Sequence, residues 1–111
     1  MFNPFKRYDQ TPGGVNIAAI ELKQRLDKGD KIFLLDVREQ WEYDTAKIEG
    51  ATLIPLGELK TRFSELNPEN EIVAYCHGGV RSLKAVDFLK TMGFNKFLNL
   101  SGGIDALSTQ A

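Results

Sequence analysis

Cysteine and histidine are nearly absent from this 111-residue chain: there is one of each, and they are neighbours, Cys76 and His77. A single thiol forbids an intramolecular disulfide, which fits a reducing compartment. It also leaves no cysteine-type metal site, and one His without a second Cys argues against zinc, so no metal is expected. Excess charge of one sign is missing too. Fourteen Lys and Arg stand against 15 Asp and Glu, a formal net charge of −1, and no strongly basic face for nucleic acid follows. No apolar run approaches the roughly 20 residues of a membrane span. The N-terminus, Met1 to Asp9, lacks the apolar core of a signal peptide. These absences predict a cytoplasmic protein without membrane or nucleic-acid partners. Internal repeats and low-complexity segments are also lacking, and the length suits one domain with one core.

What is present alternates. Residues 1–14 read as an irregular arm punctuated by Pro4, Pro12, Gly13 and Gly14, with a single domain over 15–111. Val15-Asn16-Ile17 suggests a short strand. A helix is predicted from Ala18 to Lys28, with Ile20, Leu22 and Leu26 apolar and Gly29 as its stop. Ile32 to Leu35, Thr52 to Ile54 and Ile72 to Tyr75 are short apolar runs of the kind buried on both faces of a parallel sheet. Helices are expected over Glu39 to Asp44, Gly57 to Leu66 and Ser82 to Met92, the last with Leu83, Val86, Leu89 and Met92 on one face. Lys96 to Leu100 reads as another strand and Ile104 to Leu107 as a last helical turn. The pattern predicts an α/β domain, a mainly parallel sheet covered on both faces. Ligands of such folds bind at the carboxyl ends of the strands, where Asp36, Pro55, Cys76 and Ser101 should gather.

The richest segment is Tyr75-Cys76-His77-Gly78-Gly79-Val80-Arg81-Ser82. It places the cysteine where a strand ends and a helix begins, on a loop with two glycines. Loop N–H groups and the helix N-terminus favour an anion there, and Arg81 brings a permanent charge. All of these favour thiolate over thiol, and the thiolate is the nucleophile. An ordinary lone cysteine packs as a small hydrophobe. The glycines and Arg81 argue for chemistry here instead.

The Cys76 loop resembles the active-site loop of rhodanese-like sulfurtransferases. Leu34-Leu35-Asp36-Val37-Arg38-Glu39 with Trp41-Glu42-Tyr43 is similar to that family's Asp-Val-Arg-Glu segment. Ile48-Glu49-Gly50-Ala51-Thr52-Leu53-Ile54-Pro55 is similar to its Ile-x-Gly-Ala-x-x-Ile-Pro segment, and Leu100 to Ala106 to its closing Gly-Gly segment. The four pieces run in family order from about residue 16 to 108. Leu53 to Leu59 is similar to rhodanese domains fused to adenylyltransferases that activate sulfur carriers. The resemblance implies a three-layer α/β/α fold and sulfane-sulfur transfer through a persulfide on Cys76. The backbone N–H groups of His77, Gly78, Gly79, Val80 and Arg81 would cradle the sulfur, and the Arg81 side chain would hold the donor's anionic end. Implied partners are small donors and acceptors: thiosulfate, thiols and, in vitro, cyanide. A sulfur-carrier or thioredoxin-like protein is a further implied partner, and no cofactor is implied.

Two other classes stand beside this one: a phosphatase or arsenate reductase of the same fold, and a non-catalytic interaction module. Four residues separate Cys76 from Arg81, whereas the phosphatase and reductase relatives use five. The shorter loop suits one sulfur atom rather than a tetrahedral oxyanion. The intact Cys76, Gly78, Gly79 and Arg81 argue against a module without chemistry. Ala46-Lys47-Ile48 departs from the family's Gly-His-Ile, and Leu107 stands where it often has Trp; both departures should alter the site's rim or packing. Supporting roles are expected for Asp36, as an acceptor of loop N–H bonds, and for Arg38, paired with Glu39 or Glu42. The Ser82 hydroxyl is expected to cap the helix, His77 to lie on the rim, and Lys84 to add positive potential at the mouth. Trp41 and Tyr43 are assigned to the core.

Overall fold

A computed structural model describes residues 15–108; the arm expected over 1–14 lies outside the described residues. The elements follow the alternation. They run β1 (Asn16–Ile17), α1 (Ala19–Asp27), β2 (Phe33–Asp36), α2 (Gln40–Thr45), β3 (Thr52–Leu53), α3 (Leu56–Arg62) with a 3-10 turn Phe63–Glu65, β4 (Ile72–Tyr75), α4 (Val80–Thr91), β5 (Phe97–Leu100) and α5 (Gly103–Ser108). The five strands form one parallel sheet in the order β1-β5-β4-β2-β3.

Strand β4 lies at the centre of this sheet and shows why its run is unbroken by polar residues. Ile72 and Ala74 pack on one face with Leu35, Leu59, Val86, Leu89 and Phe97. Val73 and Tyr75 pack on the other with Ile17, Leu22, Leu34, Leu98 and Leu100. Side chains alternate across a strand, so a strand covered twice must be apolar at every position. The result is the expected three-layer α/β/α fold.

Three expectations are corrected. β3 is an edge strand of two residues, paired only with β2, so Thr52 is exposed and Leu53 half-buried between the buried Ala51 and Ile54. On α4 the inward stripe is Ser82, Ala85, Val86 and Leu89, while Leu83 and Met92 are exposed. This stripe turns Ser82 toward the preceding loop, and Leu83, the next residue, lies about 100° further round the helix. On α1, Ala19 and Leu22 are buried and Ile20 faces solvent.

Candidate functional site

β4 delivers Cys76 at its carboxyl end, and the chain reverses through His77 and Gly78 into α4. Gly79 is the N-cap, in the left-handed region at φ 102°, and a Cβ there would lie 3.2 Å from the Gly102 nitrogen. The closing Gly-Gly segment braces the loop from the other side. Ile104 N–H donates to the Cys76 carbonyl (2.9 Å) and Asp105 N–H to the His77 carbonyl (3.3 Å). Gly103, at φ 64°, permits this approach, since a Cβ there would fall 2.5 Å from the Cys76 carbonyl oxygen and nearer still to that of His77.

The Cys76 sulfur is buried, with 1% of the residue exposed. Gly79 N–H donates to Sγ at 3.1 Å, Ser82 N–H at 3.5 Å and the Ser82 hydroxyl at 3.4 Å. Burial pushes the thiol up. The Ser82 hydroxyl and the N–H groups of Ser82, Gly79 and Arg81 outweigh it and hold Cys76 below the ordinary thiol value. Arg81 supports the sulfur directly through its backbone N–H, and its side-chain charge acts on Cys76 only at longer range. Its guanidinium is turned to α2, where it donates to both Glu42 carboxylate oxygens, at 2.7 and 2.9 Å. That pairing, against a smaller effect of burial, holds the Glu42 carboxyl at about 2. Glu42 also accepts the Glu39 N–H at 2.9 Å, closing a capping box at the start of α2.

Beside the loop lies a groove of about 550 Å³, bordered by Trp41, Glu42, Ile48, His77, Ile104 and Leu107, with Arg38, Ala46 and Lys47 also on its wall. His77 is exposed, and its Nε2 lies 3.0 Å from Asp105 Oδ2.

The rhodanese-like domain family matches residues 18–110. The chain belongs to that family. It is 44% identical over 82 residues to YrkF of Bacillus subtilis, whose name proposes a sulfur-carrier protein; the match covers 74% of this chain and 44% of YrkF. The chain thus spans less than half the length of that relative. It is 35% identical over 85 residues to a sulfurtransferase of Allochromatium vinosum, covering 77% of this chain and 79% of that one. Among solved structures, a rhodanese-related protein of Thermoplasma volcanium superposes with a TM-score of 0.79 at 29% identity, covering 86% and 92% of the two chains.

In this rhodanese-like domain the residues singled out in the sequence fall into three groups. Cys76, His77, Gly78, Gly79, Val80, Arg81 and Ser82 share one loop and helix start, as expected. Asp36 and Arg38 form a separate buried pair: Arg38 Nη2 donates to Asp36 Oδ2 at 2.8 Å and its backbone N–H to Oδ1 at 2.9 Å. Arg38 thus pairs with Asp36 rather than with Glu39 or Glu42: the carboxylate at the end of β2 accepts from both its backbone N–H and its guanidinium. Ser82 is not the helix cap; it sits in the first turn of α4 with its hydroxyl on the sulfur. Ala46, Lys47 and Leu107, the departures from the family pattern, line the groove. The sequence reading missed Trp41, which is 69% exposed on the groove rather than in the core, and Glu42, Ile104 and Asp105. The Glu39…Glu42 spacing of a capping box was the one local signal for Glu42.

Proposed function

We propose that this rhodanese-like domain transfers sulfane sulfur through a persulfide on Cys76. The observation that carries the reading is the set of three hydrogen bonds donated to Cys76 Sγ by neutral groups of a buried loop. A sulfur held by donors on a strand-to-helix loop is one kept as thiolate, and a thiolate attacks sulfur. In the first half-reaction Cys76 Sγ attacks the outer sulfur of a donor such as thiosulfate. A new S–S bond forms, the donor's S–S bond breaks, and sulfite leaves with the electron pair. In the second, a thiolate or cyanide attacks the outer sulfur of the Cys76 persulfide, and Cys76 leaves as thiolate. No net electrons are gained or lost, and the cycle calls for no cofactor. Two half-reactions on one residue predict ping-pong kinetics. The loop N–H groups, with His77, Gly78, Gly79 and Val80 in the turn, would cradle the added sulfur. A sulfur-carrier or thioredoxin-like protein would suit the acceptor role.

The test is loading. Thiosulfate incubation, followed by intact-mass spectrometry, should add one sulfur to the wild-type chain. Cyanide should remove it as thiocyanate. Cys76→Ser should take up none; sulfur on that variant, or none on the wild type with any sulfane donor, would overturn the reading.

A further inference from the structure

A thiosulfate dianion needs a free cation at the loop mouth, and this loop does not offer its arginine. Both terminal nitrogens of Arg81 are held by Glu42, and Glu42 is itself fastened to the Glu39 N–H of α2. A small dianion would have to displace that carboxylate or bind beside it, and like charges at contact distance repel. Of the arginines and lysine on the groove, Arg38 is paired with Asp36. Lys47 keeps its charge but is drawn away to α2, donating to the Tyr43 hydroxyl at 3.1 Å while lying over its ring. The groove is also far larger than an inorganic anion requires, and its wall carries Trp41, Ile48, Ile104 and Leu107. Trp41 is a large apolar ring left exposed at this wall. Glu42 borders this groove and the Cys76 loop together.

We propose that Glu42 sets donor specificity at this site: by occupying the Arg81 guanidinium it turns the loop away from small dianions and toward sulfane-sulfur compounds whose organic body seats in the groove beside Trp41. The inference rests on the sulfur-transfer reading above. The chemistry of the step is unchanged. Cys76 Sγ attacks the terminal sulfur, the donor's S–S bond breaks, and the organic residue leaves as a sulfinate or thiolate with the electron pair.

Benzenethiosulfonate and thiosulfate make a matched pair of probes. Both present a sulfane sulfur on a sulfonyl centre, and a phenyl ring in one replaces a charged oxygen in the other. kcat and KM are measured for each donor with cyanide as acceptor, in wild type, Glu42→Gln and Trp41→Ala. Glu42→Gln keeps an acceptor for the Glu39 N–H but removes the charge. It should lower KM for thiosulfate relative to benzenethiosulfonate by about tenfold, the value of one charge-assisted hydrogen bond, with kcat for thiosulfate changing much less. Trp41 is exposed, so its removal spares the fold. Trp41→Ala should raise KM for benzenethiosulfonate by roughly fivefold relative to thiosulfate, from the apolar area lost. A Glu42→Gln variant that shifts both donors alike or weakens thiosulfate would overturn the Glu42 assignment. A Trp41→Ala variant with an unmoved ratio would overturn the seating of the organic body. If neither donor adds sulfur to wild-type Cys76, the sulfur-transfer reading falls and this inference falls with it, an outcome distinct from the other two.

Discussion

Replacing Gly103 by alanine tests whether the closing segment braces the Cys76 loop. Two costs are built into that position. The φ of 64° is a left-handed conformation that a side chain disfavours by about 1–2 kcal/mol. The added Cβ would also meet backbone, the Cys76 carbonyl oxygen at 2.5 Å and the His77 carbonyl closer still, and backbone cannot swing aside as a side chain can. The loop or the start of α5 must retreat. Retreat lengthens the Ile104 N–H bond to Cys76 and the Asp105 N–H bond to His77, each worth about 0.5–1.5 kcal/mol. The sum is about 2–5 kcal/mol. For a domain of this size each kcal/mol moves Tm by roughly 4–8 °C, so a fall of about 8–40 °C is expected in a circular-dichroism melt. The loop should report it too, through an altered rate of Cys76 alkylation. Gly57→Ala is the control. It lies in α3 with nothing within 4 Å of its Cβ position, and should leave Tm unchanged or raise it, by up to about 1 kcal/mol of helix propensity. A Gly103→Ala protein that melts within about 3 °C of wild type, less than 1 kcal/mol of change, would refute the bracing argument.

Ser82→Ala removes the hydroxyl donor to the Cys76 sulfur and leaves the backbone donors. The thiolate loses support, so the Cys76 thiol should move up toward its ordinary value and iodoacetamide alkylation at neutral pH should slow about two- to tenfold, for one hydrogen bond. An unchanged alkylation profile would take the hydroxyl out of the sulfur's environment. Asp36→Asn strands the buried Arg38 guanidinium without its counter-charge and should cost about 3–5 kcal/mol in urea unfolding. The double variant Asp36→Asn with Arg38→Met should cost less than the single one, and a single variant as stable as wild type would show the pair to be dispensable.

The parts of this molecule that were legible in the sequence are those governed by local rules. Ile72-Val73-Ala74-Tyr75 could be read as a doubly covered strand because periodicity and burial on both faces are one fact. Of the two glycines that mark a turn after Cys76, Gly79 takes the left-handed conformation that favours glycine, whereas Gly78 has an ordinary φ and open space at its Cβ position. What escaped depends on pairing across the chain. Arg81 and Glu42 are 39 residues apart, and no local signal says which acid meets which base. The same competition misassigned Arg38, whose partner is two residues away on its own strand end. Trp41, expected in the core, is exposed. Its helix α2 has six residues and buries none of them, so its aromatic ring is left to the groove wall. α4 begins two residues before the expected Ser82, since Val80 and Arg81 carry no helical cue although their backbone belongs to the first turn.

The electrostatics of the loop differ in kind from the expectation that Arg81 would supply the charge. Cys76 is held down chiefly by a hydroxyl and by backbone N–H groups, with the guanidinium paired to Glu42 and acting on the sulfur only at longer range. Dipoles fixed by a fold act over short range and need no counter-ion, so they favour an anion at one point while the mouth of the site stays near neutral. A full positive charge at the mouth would favour any passing oxyanion, phosphate included. Neutral donors aimed at a single atom favour whatever sits on that atom. On the sulfur-transfer reading this matters most after the first half-reaction, when the anionic end is the outer sulfur of a persulfide rather than Sγ itself. The donors that favour the thiolate must then also favour an anion one bond further out. The Ser82 hydroxyl can turn about its Cα–Cβ bond to follow the charge outward, whereas the Gly79 and Ser82 N–H groups are fixed by the braced loop and the first turn of α4. Removing the hydroxyl should therefore cost the persulfide more than it costs the free thiolate. Ser82→Ala should lose its bound sulfur to cyanide faster than wild type does, with the loading step slowed in the same protein. A variant that loads slowly and unloads at the wild-type rate would show that the hydroxyl serves the thiolate alone.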